Sequence, residues 1–399
     1  MTRPSRRRAA IAVLALFLLI PANGQAASNN TIGNIVAQAI KPVMAQYGVP
    51  GMAVGVIING QAYVYNYGVA SQKTGRPITA DTLFEIGSVS KTFTATLAAY
   101  AQRRGDLLLS DMASQYLPPL RGSAFDHVSL VNLGTHTPGG MPLQTPDSVA
   151  TPQQLIAYFR AWKPAYPPGT YRTYSNISIT LLGMITADSM HETFPTLMQS
   201  TVFSGLGLQH TYLDIPKTQM ANYVQGYTKT GAPIRMAPSV LSPEAYGIRT
   251  TAADLLRFVA ANMGVLALDP TLQNAITDTH TGYYRIQTGG LTQDLIWEEY
   301  HYPVRLDDLL AGNSDAVASK PNPVSAITPP LPPQDNVLID KTGSTNGFAS
   351  YVAFVPGQKI GIVILANKNY PSAARVTAAY NMLTHLAPLE FSSGRKARR

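Results

Sequence analysis

Alternation marks both ends of this chain, and helical spacing marks its middle. Residues 52–70 carry alternating positions on either side of Asn59-Gly60, a dipeptide suited to a tight two-residue turn, and so predict a hairpin. From residue 336 the pattern returns to strands, at 337–340, 350–355 and 360–365, with a Pro356-Gly357 turn between the last two. A helix near residues 32–47 precedes the first hairpin, and an amphipathic helix over 373–386 follows the last strand.

Between these ends, Val89, Phe93, Leu97 and Tyr100 recur at helical spacing, and Gly105 follows as a stop. They predict an amphipathic helix over 88–104. Further helices are expected at 177–187 and 252–263, and Gly and Pro punctuate the chain up to about residue 190. Residues 321–333 hold six prolines, which rule out a helix or a central strand there and predict a loop. The arrangement predicts an α+β protein: one antiparallel sheet built from both chain ends, flanked by helices, with a mostly helical region inserted. No internal repeat is present.

Composition narrows the class. A chain of 399 residues, 45% hydrophobic and 13% charged, can bury a large core without disulfides or metals. Arg3 and Arg6 to Arg8 precede a short apolar run, residues 9–20, and then small residues ending Gly24-Gln25-Ala26, the form of a secretory signal over 1–26. The paired arginines leave twin-arginine export open beside the general route. No later stretch is long and apolar enough to span a membrane. The net charge of +8 comes from the four leader arginines and from Arg395, Lys396, Arg398 and Arg399 in a tail, 389–399, expected to be disordered. The body is neutral, without a basic stripe and interleaved aromatics, which argues against nucleic acid. Cysteine is absent, and the seven histidines show no metal-ligand spacing, so neither thiol chemistry nor a metal site is expected.

The candidate chemistry is that of an activated serine. G-x-S-x-G is missing, but Ser88-Val89-Ser90-Lys91 places a lysine one helical turn beyond a serine at a helix start, near enough to take the hydroxyl proton. Ser393-Gly394-Arg395-Lys396 fits the same pattern inside the tail expected to be disordered, where it opens no helix. Tyr174-Ser175-Asn176 precedes the helix at 177–187, and in an extended loop Tyr174 and Asn176 point the same way. A phenol, ordinarily near pKa 10, becomes a useful base only beside cations. Lys-Thr-Gly occurs at Lys73, Lys229 and Lys341, and only Lys341-Thr342-Gly343 continues an apolar strand. Singly, each feature has an ordinary structural explanation as a cap, a surface aromatic or a turn.

S-x-x-K, Y-x-N and K-T-G in this order resemble the serine penicillin-recognising enzymes, and the likeness sharpens toward the class C β-lactamases. It extends over nearly all of residues 27–388 and includes Gly139-Gly140-Met141-Pro142-Leu143-Gln144, Glu244-Ala245-Tyr246-Gly247, the run from Lys341 to Phe348, and Leu365-Ala366-Asn367-Lys368-Asn369-Tyr370-Pro371. The resemblance implies an α/β/α sandwich of the β-lactamase/transpeptidase kind, with a sheet sub-domain at 27–85 and 190–388 and a helical one at 86–189. It implies that Ser88 is the nucleophile, that Lys91 and Tyr174 share the proton work with Lys341 beside them, and that the backbone N–H groups of Ser88 and Ser344 form an oxyanion hole. Gln144 and Asn176 would hold the acyl amide side chain, and Tyr246 would line its pocket. Lys341, Thr342, Asn369 and Arg375 would face the carboxylate of the substrate, and Gly343 and Ser344 would also bind the substrate. The implied protein is a periplasmic monomer that takes a small β-lactam, uses no cofactor and touches no membrane once its signal is removed. Ser372, Ser175 and Arg249 depart from the asparagine, alanine and lysine familiar in that class. A D-alanyl-D-alanine carboxypeptidase or an esterase of the same fold is the alternative. A penicillin sensor would need a membrane span.

Overall fold

The computed structural model describes residues 22–58 and 60–396. The export signal expected over 1–26 lies outside these up to residue 21, as does Asn59 of the turn dipeptide. Helix α1, Ala22–Tyr47, leads into strands β1, Gly51–Ile58, and β2, Gln61–Gly68, which pair antiparallel. The region that follows contributes helices α2, Ser90–Arg104, α3, Leu130–Gly134, and α4, Asn176–Ser189. After α5, Ala252–Asn262, and α6, Pro270–Asp278, come β3, Gly282–Ile286, β4, Leu291–Gln293, and β5, Glu298–His301. The chain ends with β6, Ser325–Leu331, β7, Val337–Ser344, β8, Ala349–Val355, β9, Ile360–Ala366, and α7, Ser372–Lys396.

These strands form one sheet in the order β6-β3-β4-β5-β7-β8-β9-β1-β2. Its middle joins the two chain ends, through the β9–β1 register Met52↔Ala366 to Ile57↔Gly361. Strand alternation then assigns side chains to two cores. Ala53, Ile57, Val352, Phe354, Val363 and Leu365 pack on the face covered by α2 and α5. Val54, Val56, Tyr351, Ala353, Ile362 and Ile364 pack on the opposite face, under α1 and α7. Because both faces are covered, β1, β8 and β9 are buried along their whole length. A third core, around Ala95, Ala98, Leu130, Ile177 and Leu181, lies among the helices and also draws in Leu241, Ala275, Leu295 and Ile296.

One expectation changes. The proline-rich segment is not a loop: β6 forms the sheet's outer edge against β3, paired at Ser325↔Arg285 and Ala326↔Tyr284, with a register shift before Leu331↔Gly282. Proline lacks only the N–H, which an edge strand does not need on its outer side. Asn322–Pro323 also pairs with Tyr171–Arg172, tying this edge to the loop that carries Tyr174. Helix α7 carries helical backbone on to Lys396. Pro388 withdraws a single intrahelical donor and leaves helical φ available.

Candidate active site

Ser88 lies in a 3-10 turn, Gly87–Val89, between β7 and the start of α2, and its side chain caps no helix. Two glycines let this turn lie against the strand. Gly87 has φ +51°, a left-handed conformation, and a Cβ there would stand 2.6 Å from the Ser344 backbone nitrogen. A Cβ on Gly343 would collide with the Ile86 carbonyl, which accepts a 2.7 Å bond from Ser350 Oγ. The backbone of Ser344 is thus drawn up to the nucleophile turn. On β7, pairing with β5 ends at Glu298↔Asp340, whereas pairing with β8 runs on to Ser344↔Ala349. The other edge of Lys341 to Ser344 is left open to the cleft.

Helix α2 fixes the next group. Phe93, stacked on Phe258 at 3.9 Å between centroids, buries the helix in the sheet core. Truncating such a side chain to alanine costs about 3–5 kcal/mol. Lys91 is fully buried, with Nζ donating to Ser88 Oγ at 3.0 Å and to the Ala245 carbonyl at 2.8 Å. Burial holds its pKa below the ordinary lysine value against the pull of Tyr174, and Lys341 adds to the lowering.

Tyr174 is held by the residues that follow it. Ser175 caps α4 by accepting from Ser178 N at 3.2 Å, donates its hydroxyl to the Pro142 carbonyl at 2.6 Å, and is followed by an Asn176 N–H bonded to Leu143 O at 3.0 Å. The Tyr174 hydroxyl is buried, with Ser88 and Lys91 as its polar neighbours. Lys91 Nζ and Lys341 Nζ each stand 5.2 Å from the ring centroid. Burial alone would raise the phenol, but the ammonium groups of Lys341 and Lys91 outweigh it and bring the pKa below the ordinary tyrosine value.

Lys341 is buried too, and burial favours its neutral form, yet the carboxylate of Glu298 keeps its pKa above the usual value. Glu298 Oε1 lies 3.5 Å from Lys341 Nζ and 2.6 Å from Arg172 Nη2. Arg172 is anchored further by Gln293 Oε1 at 2.6 Å and the Val317 carbonyl at 2.9 Å. Glu298 and Arg172 were missed from sequence. No local pattern singled them out, since Glu298 opens the polar strand Glu298–His301 and Arg172 ends the short strand Tyr171–Arg172, and their pairing arises only across the fold.

Two cavities meet at Ser88. One, of about 370 Å³, is lined by Lys341, Thr342, Gly343, Ser372 and Arg375. The other, of about 640 Å³, is lined by Gln144, Asn176, Tyr246, Asn369 and the exposed pair Asp147 and Asn346. Ser344 borders both. Asn369 lines the cavity on the Tyr246 side, with its amide donating to the Thr345 carbonyl at 2.8 Å. Arg375 is 2% exposed, donates to Gly343 O, Ser344 Oγ and Ser372 Oγ, and is pushed down to about 10 by burial. Ser372 thus anchors Arg375 at the cavity wall. Arg249 donates to the carbonyls of Leu213 and Gly247 and lines neither cavity. Among the described residues no group of three or more His, Cys, Asp or Glu side chains is placed to hold a metal, and no helix is long and apolar enough to cross a membrane.

The family model for β-lactamase matches residues 36–387, so the chain belongs to that family. Its place there is with the class C enzymes. It is 52% identical over 353 residues to a β-lactamase of Pseudomonas fluorescens, covering 88% of this chain and 98% of that one. A class C β-lactamase solved in complex with cefoxitin is 50% identical, with a TM-score of 0.87 over 90% of this chain and 99% of the other. The D-alanine carboxypeptidase AmpC from Burkholderia cenocepacia is 54% identical, with a TM-score of 0.85 over 89% of this chain and 99% of its own.

Proposed function

We propose that this protein hydrolyses the amide bond of β-lactams through an ester on Ser88. The observation that carries the proposal is the Ser88 Oγ to Lys91 Nζ contact of 3.0 Å beneath a phenol held between two ammonium groups. Ser88 Oγ attacks the lactam carbonyl as its proton passes to the Lys91–Tyr174 pair. The negative charge that develops on the carbonyl oxygen meets the backbone N–H groups of Ser88 and Ser344, donors worth about 3–4 kcal/mol each in such sites. Tyr174 returns the proton to the departing lactam nitrogen, and the C–N bond breaks.

Deacylation reverses these roles. Tyr174 takes a proton from a water that attacks the ester, and Ser88 leaves with that proton. The cationic wall of Lys341 and Arg375, with the Thr342 hydroxyl, suits the substrate carboxylate, while Gln144, Asn176 and Tyr246 suit its acyl side chain. Asn369 supports that second pocket by holding the Thr345 carbonyl. No cofactor enters this scheme. We also propose export through the N-terminal segment to the periplasm, where the protein acts as a monomer.

The test is turnover of a chromogenic cephalosporin beside release of D-alanine from a D-alanyl-D-alanine peptide. Rapid opening of the cephalosporin with slow peptide cleavage is expected. Fast peptide cleavage with a long-lived antibiotic adduct would support the carboxypeptidase reading that the Burkholderia relative's name suggests.

A further inference from the structure

The proton chemistry proposed for Tyr174 leaves out one fully buried side chain that touches its ring. His136 is 0% exposed and lies just beyond α3 with φ +60°, a left-handed conformation that histidine, like asparagine and aspartate, adopts more readily than other non-glycine residues. Its backbone is fixed on both sides: its N–H reaches Leu133 O, and its carbonyl accepts from Thr173 N at 2.8 Å. This turn delivers the imidazole onto Tyr174, with ring centroids 4.4 Å apart and planes tilted by 44°. His136 Nδ1 accepts from the Ser175 backbone N–H at 3.3 Å and lies 3.3 Å from Ser178 Oγ.

That contact fixes the tautomer. A backbone N–H can only donate, so Nδ1 presents its lone pair and a neutral ring carries its proton on Nε2, which is buried without a protein partner. The surroundings agree. Burial, and then the charges of Arg172, Lys91 and Lys341, push His136 well below the ordinary histidine value. Three cations, Lys91 from α2, Lys341 from β7 and Arg172 from the adjoining strand, with Glu298 of β5 behind them, surround the phenol. A neutral imidazole packs against the ring as well.

We infer that His136 is a positioning residue for Tyr174, its Nδ1 clasping the Ser175 N–H so that the phenol is kept between Lys91 and Lys341. The inference rests on the acyl-transfer reading above. Without the clasp, the Ser175 amide loses its buried acceptor and the tyrosine ring loses one wall. The hydroxyl then moves away from the two charges that favour its ionisation.

Two variants separate backbone from side chain. His136→Gly accepts the left-handed backbone but removes ring and acceptor, whereas His136→Asn tolerates that backbone and offers a carbonyl oxygen near the place of Nδ1. Wild-type acylation of Ser88 is measured first by mass, since its absence would overturn the underlying reading. The glycine variant should lose about 10²-fold in kcat, the scale of an ångström-sized misplacement, with KM changed less than kcat. The acid limb of its pH profile should move to higher pH, because a phenol farther from the ammonium groups ionises later. The asparagine variant should recover most of the rate and return the limb toward its original position. Overturning results would be an acid limb unmoved in the glycine variant, as a merely structural loss of active protein would give, or an asparagine variant as slow as the glycine one.

Discussion

Replacing Glu298 with glutamine removes one negative charge at nearly constant volume from a site where it faces two cations. The carboxylate is 2.6 Å from Arg172 Nη2 and 3.5 Å from Lys341 Nζ, and all three side chains are within 5% of full burial. Removing one member of such a buried ion pair costs about 3–5 kcal/mol, because the remaining charges stay desolvated without a partner. The melting temperature should fall by several degrees. Catalysis should respond by a shift in pH rather than by simple loss. Glu298 raises the pKa of both Lys341 and Tyr174, so its removal lets the ammonium lose its proton, and the phenol ionise, at lower pH. Both limbs of the kcat/KM profile should therefore move to lower pH, as apparent values of a coupled group. The assays are thermal unfolding and cephalosporin turnover across pH. An unchanged melting temperature, or a profile that stays in place or moves upward, would refute the reasoning.

Other consequences are as direct. Gly87→Ala adds a Cβ 2.6 Å from the Ser344 nitrogen at φ +51° and should cut kcat by about 10²-fold or more by displacing the nucleophile turn. Gly105→Ala, at φ +83° with nothing within 4 Å, should lower stability by about 1–2 kcal/mol yet spare turnover. Tyr174→Phe should slow turnover by roughly 10² to 10⁴-fold; a rate like that of wild type would transfer its role to Lys91. Burial pushes Glu244 up to about 8, so its protonated form favours the folded state. That contribution is complete below the ordinary carboxylate range, near 4.3, and is lost as pH rises toward 8. Melting temperature should decline over that interval, and less steeply in Glu244→Gln.

The strands at both chain ends were legible because buried alternation is a local signal: 337–340, 350–355 and 360–365 all fall within strands of the sheet. Helix α2 was legible for the same reason, through Phe93 and Leu97 and the Gly105 stop. The pairing of β9 with β1 was suggested only in outline, since residues 52 and 366 share no local pattern that sets their register. Six prolines hid the edge strand β6, whose existence depends on an open edge of β3 rather than on its own propensity. At the site, Ser88, Lys91, Tyr174 and Lys341 were found as motif members. Arg172, Glu298 and His136 were not, because each acts by what it touches across the fold.

The central claim is that Ser88 carries the acyl group and that the site releases it. Purified protein mixed with a chromogenic cephalosporin, quenched at intervals and weighed by mass spectrometry, tests both halves at once. The account predicts an adduct on the peptide containing Ser88 that forms during turnover and vanishes as substrate runs out, and no adduct or turnover in Ser88→Ala. Turnover without any adduct on that peptide, or full activity in the alanine variant, would contradict it.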